Sequence, residues 1–199
     1  MVYGETRPIY LHLSRERFEE PEGERYVGWP PLREASQRQA MWDGLRADNL
    51  QTVATDHCGW TLTQKKQGKT VDELLPGMSN LETLLPMLYS EGVRGGRLTI
   101  TRMVEVLAAG PARVGGLYPR KGALALGSDA DVVVFDPDAR RTIRATEMHS
   151  ACDYDPYEGW EVTGWPETVL SRGEIVFERG ELAGTPGRGK LVPRAPYPA

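Results

Sequence analysis

The sequence predicts an α/β chain, a strand-and-helix half followed by a smaller β-rich piece. Three observations carry this. Residues 2–13 alternate apolar and polar side chains around Ile9, Leu11 and Leu13, as a strand with its exit does. The segment EASQRQAMWDGLRA, 34–47, sets Ala40, Met41 and Leu45 at helical spacing, and the short apolar run LQTVA, 50–54, follows almost at once. Strand, loop, helix, strand is the order of consecutive βα units in a parallel sheet. After Leu117 the helical pattern stops and strand signals replace it.

Between these halves lie a basic loop, KKQGK at 65–69, and a turn, PGMSN at 76–80. KKQGK reads as a solvated loop. Two helices are expected next, LETLLPMLYSEG at 81–92 and TITRMVEVLAAGPARVGG at 99–116. The second opens on Thr99, a good N-cap, with Met103, Val106 and Leu107 on one face. Further on, SDAD is a turn signal ahead of VVVF, 132–135, which reads as a short buried strand. TVLSRGEIVFERGELAG reads as strands reversing at Arg172-Gly173 and again at Arg179-Gly180.

Composition narrows the function classes. The 199 residues carry 24 basic and 28 acidic side chains, a net charge of −4, with no basic block. Nucleic-acid binding is not expected, and no apolar run suits a membrane span. The first ten residues lack the pattern of a signal peptide. The two cysteines, Cys58 and Cys152, form no CxxC pair, so a reduced, cytoplasmic setting is expected.

One stretch carries chemistry. ATDHCGW, 54–60, puts an acid, an imidazole and a thiol at the carboxyl end of LQTVA, where α/β enzymes place reactive groups. Asp56 is a candidate metal or catalytic residue, and a helix cap or strand-end turn residue on the plainer reading. His57 would point away from Asp56 if the strand continues, and reads as a structural hydrogen-bonder. Cys58 reads as a small buried hydrophobe, and His12 and His149 as surface histidines.

Several stretches together resemble the dihydropyrimidinase/hydantoinase branch of the metal-dependent amidohydrolases. They are YGETRPIYL at 3–11, PPLR at 30–33, VATDHC at 53–58, LPMLYSEGV at 85–93, GLYPRKGALALGSDADVVVFDP at 116–137 and YEGWEVTGWPETVLSRGEIVFERGEL at 157–182. GSDADVVVFDP alone is shared by many amidohydrolases, whereas the whole series in register is specific. The resemblance implies the C-terminal part of a (β/α)8 TIM-type barrel, its last two βα units, plus part of a small β-sandwich. It would place barrel strands seven and eight and the following helices in 1–117, and sandwich strands and tail in 118–199.

The same resemblance implies zinc-dependent hydrolysis of a cyclic amide or ureide ring. Asp56 would bind one ion of a dinuclear zinc centre and shuttle the proton. The other ligands, a His-x-His pair, a carbamylated lysine and two histidines, are expected on strands one to six, and the three histidines here form no such pair. Substrate contacts are expected from Trp29, where the family carries serine, and from Pro76 and Gly77, where it carries Asn-Gly. Pro76 has no N–H to offer. A third departure is Arg7-Pro8-Ile9, where the family has Cys-Pro-Gln. The expected partners are a small cyclic amide substrate, a second chain supplying the rest of the barrel, and further copies in a homo-oligomer. Alternatives from other classes are a non-catalytic assembly relative, one half of a split amidohydrolase, and a truncated gene product.

Overall fold

The structure is a computed structural model, and it describes residues 2–195. It is a mixed α/β arrangement with two open sheets. The first has only two short parallel strands, β1 (Glu5–Thr6) and β2 (Thr52–Val53), with Glu5 opposite Thr52 and Thr6 opposite Val53. The second is antiparallel in the order β3-β4-β5-β6.

The strand expected over 2–13 is confined to Glu5–Thr6. Helix α1 (Pro8–His12) takes over, with Pro8 in its first turn, where a missing N–H costs nothing and a fixed φ already suits the helix. Ile9 and Leu13, one helical turn apart, enter one core cluster while Leu11 enters the other. A period-two pattern so short serves a helix lying between two cores equally well.

Helix α2 (Ser36–Arg46) forms where its spacing predicted, burying Trp42 and Leu45. Its Trp42 indole N–H donates to Leu11 O at 3.2 Å, joining α2 to α1. A one-turn helix, α3 (Leu62–Lys65), opens on a capping box in which Thr61 and Gln64 satisfy each other's backbone N–H groups. Helix α4 (Leu84–Met87) runs on into a wide π-type turn over Leu88–Arg94. Helix α5 (Ile100–Val104) does start at Thr99, whose side chain accepts the Arg102 N–H, and it continues through a second wide turn, Glu105–Ala109, into α6 (Gly110–Val114). From α5, Arg102 donates to Leu45 O (2.7 Å), Leu50 O (2.8 Å) and Asp48 (2.7 Å), which fixes the approach to β2.

VVVF lies in a strand longer and more open than expected. β3 (Val132–Thr142) has eleven residues, and Val133 and Val134 are 47% and 46% exposed. β3 pairs with β4 (Glu161–Ser171), β4 with β5 (Glu174–Glu178), and β5 with β6 (Glu181–Leu182). Both expected reversals are present. Arg172 and Gly173 have φ of 52° and 80°, and Arg179 and Gly180 of 49° and 95°, the positive pairs of a two-residue hairpin turn.

The sheet and the helical part share a core. Ile9, Leu13, Met78 and Met87 pack with Ile143, Tyr157, Val162 and Trp165. His12 lies inside it at 4% exposure, between the ring edges of Trp42 and Tyr157, so the expectation of a surface histidine is overturned. Burial and the positive fields of Arg97 and Arg38 push its pKa down to about 3, keeping the ring neutral. No helix among the described residues is long and apolar enough to cross a membrane.

Candidate functional site

The parallel pairing delivers Asp56 just beyond the end of β2. Its backbone takes a left-handed turn there, φ 46°, which Asp tolerates better than most residues. The carboxylate is 59% exposed on its outer side, and its Oδ2 accepts from Nη1 of Arg7 at the end of β1. Arg7 is itself nearly buried. Its Nη2 donates to the Tyr10 hydroxyl and to Pro30 O (3.3 Å), and its guanidinium lies 4.6 Å over the Tyr10 ring.

The polar neighbours of Asp56 part from it. His57 Nδ1 accepts the Asn80 N–H at 3.2 Å, the structural bond expected of it. Cys58 is only partly buried, and burial followed by the Asp56 charge raises its pKa. His149 pairs with Glu82 at 2.9 Å, which raises its pKa.

The loops carrying Trp29, Pro76 and Gly77 are joined beside this pair. The Gly77 N–H donates to Val27 O at 3.0 Å. Pro76 has only its carbonyl to offer, and that accepts the Trp60 indole N–H at 3.0 Å. Gly77 adopts φ 107°, and a Cβ there would lie 2.3 Å from Cys58 Sγ, so only glycine fits. Trp29 is half exposed and lines a cavity of about 250 Å³ with Phe18, Val27, Gly28, Pro31 and Leu74. Asp56 is not among the residues lining it; Arg7 reaches both Asp56 and the carbonyl of Pro30, which lies in sequence between the lining residues Trp29 and Pro31.

A buried cation that the sequence hid completes the junction. Lys65, expected in a solvated basic loop, is wholly buried. Its ammonium donates to Val27 O (2.9 Å), Leu75 O (3.1 Å) and Gly77 O (2.5 Å). Burial pulls its pKa down to about 8. Three carbonyl acceptors match the three N–H donors of an ammonium, so Lys65 clamps the 27–29 and 75–77 loops together. Arg7 had one signal in the sequence, its departure from the family pattern; Lys65 had none.

Asp155 is buried, and its Oδ1 accepts the Tyr157 N–H at 2.8 Å. Burial pushes its pKa up to about 7.

The donor set does not form a metal cage. Among the described residues no three of His, Cys, Asp and Glu stand together as ligands would, and one oxygen of Asp56 already faces a guanidinium.

The sequence pattern of the amidohydrolase family matches residues 26–176. The chain belongs to the amidohydrolase family. Within this family it is 42% identical to the D-hydantoinase of Geobacillus stearothermophilus, over 100% of this chain and 43% of that one. To a D-phenylhydantoinase of Escherichia coli O1:K1 the identity is 37%, over 98% and 43%. Among solved structures, a D-hydantoinase superposes with a TM-score of 0.96 at 40% identity, over 100% of this chain and 44% of that one. The dihydropyrimidinase from Brevibacillus agri NCHU1002 gives 0.95 at 40% identity, over 98% and 43%. This amidohydrolase chain therefore resembles the dihydropyrimidinase/hydantoinase branch along its whole length. It spans less than half the length of these relatives.

Proposed function

We propose that this chain is part of a cyclic-amide hydrolase of the hydantoinase and dihydropyrimidinase type. The observation that carries this is a 42% identity over a match that covers 100% of this chain. In the reaction, water adds to a ring carbonyl, the ring C–N bond breaks, and the nitrogen takes a proton. Asp56 is the group here suited to accept the proton from water and return it to the leaving nitrogen. Its position at a strand end, held from behind by Arg7 and open on the outer side, supports that role. Trp29, Pro76 and Gly77 would line the substrate, with Lys65 holding their loops in place.

The same reading takes 1–117 as the last two βα units of a barrel and 118–199 as sandwich strands and tail. The zinc expected from the resemblance does not fit the donors present in this chain, so its ligands would come from elsewhere in a longer protein or from a second chain. A non-catalytic interaction relative is the second reading, favoured by the engagement of Asp56 with Arg7.

The test is ring opening of hydantoin and dihydrouracil by the chain purified with whatever polypeptide accompanies it. Turnover to the N-carbamoyl acid is expected, with Asp56→Asn lowering kcat by about 10²–10⁴-fold, the usual worth of general acid–base catalysis. No turnover by the accompanied chain, or an Asp56→Asn variant as active as the parent, would leave the interaction reading.

A further inference from the structure

We infer that Arg7 is the resident counter-cation of Asp56, and that a divalent metal reaches this carboxylate only by displacing the guanidinium. The inference rests on Asp56 as the site's carboxylate, and it concerns what Asp56 binds rather than what it catalyses. Arg7 is 8% exposed, and a buried guanidinium needs a partner of opposite charge. Asp56 is the ion-pair partner found for it among the described residues.

The pair is built rather than incidental. Arg7 sits on the last residue before α1, and that helix supplies Tyr10, whose hydroxyl and ring face both engage the guanidinium. Tyr10 in turn donates to Pro30 O at 2.6 Å, so the same carbonyl closes the ring of contacts. From the opposite strand, the left-handed turn at Asp56 presents its carboxylate to this assembly.

The neighbouring donors do not compensate. His57 Nδ1 is occupied by the Asn80 N–H, and Cys58 Sγ packs where a Cβ of residue 77 would stand. A metal at Asp56 would thus meet a like charge at hydrogen-bond distance from the same oxygen, and among the described residues no group of three ligand side chains stands there to hold it.

Backbone cleavage by Fe²⁺ and ascorbate, mapped by mass spectrometry, tests this on the full chain and tolerates self-association. Cuts around residues 54–58 are expected to be weak in the parent and about fivefold stronger in Arg7→Gln, where the competing charge is gone. Arg7→Lys keeps the charge and should stay at the parental level, separating charge from packing. The Arg7→Gln gain should vanish in Arg7→Gln/Asp56→Asn. Parental cuts at 54–58 as strong as those of Arg7→Gln, or no gain in Arg7→Gln, would overturn the inference. Should Arg7→Gln fail to fold, strong parental cuts that Asp56→Asn removes would overturn it, and their absence would uphold it. Ring-opening activity enters none of these outcomes, so this inference and the proposed function fail separately.

Discussion

Asp155 shows how one buried side chain sets a pH dependence. In the unfolded chain its carboxyl ionises near its ordinary 3.8, whereas in the folded chain burial delays this to about 7. Between those values the unfolded state has already released its proton while the folded state keeps it. Stability from this group is therefore full below about pH 4 and falls as the pH rises towards 7, by up to about 4 kcal/mol. Asp155→Asn retains an oxygen for the Tyr157 N–H but has no proton to release. Urea unfolding of parent and variant between pH 4 and 8 should show the parent losing stability relative to the variant as pH rises. Parallel curves would mean that Asp155 is already ionised in the folded chain.

Among the elements, the short ones around the site depend most on a single bond donor. Helix α3 is one turn long, yet its last residue, Lys65, binds carbonyls from two separate loops. Lys65→Met keeps the apolar stem and removes the donors, at an expected cost of about 3 kcal/mol. Exposed Lys69→Met in the same loop should change stability by less than about 0.5 kcal/mol, and denaturant midpoints compare them directly. Equal effects would remove the clamp from the account of the site. The sequence could not show this, because KKQGK has the composition of a solvated loop and the three carbonyls come from 10 to 38 residues away. What could be read was local. The N-cap at Thr99 and the reversals at Arg172-Gly173 and Arg179-Gly180 depend on their own few residues, and they formed as expected. α1 was misread because Ile9, Leu11 and Leu13 serve two cores, a tertiary fact with no local mark.

Over the whole molecule, apolar surface remains uncovered. Leu124, Leu126, Val133, Val134, Ile175 and Leu182 are all exposed, and β1 and β2 form a sheet of only two strands. Open strand edges and apolar faces favour association. The chain by itself should sediment as oligomers or aggregates, and an accompanying chain that covers these surfaces should suppress this. A monodisperse monomer with one cooperative melting transition would count against the barrel-fragment reading.

The pairing of Glu5 with Thr52 also sets an order of events in time. The hairpin at Arg172-Gly173 closes over two residues and can zip on the scale of about 1–10 μs. The β1–β2 pair must first bring together segments 47 residues apart, and that closure is an entropic cost met before any contact rewards it. Arg7 and Asp56 sit at the ends of those two strands. On the loop-closure argument the seat of the candidate carboxylate takes shape after that hairpin, and a chain that stops at local structure would leave it unmade.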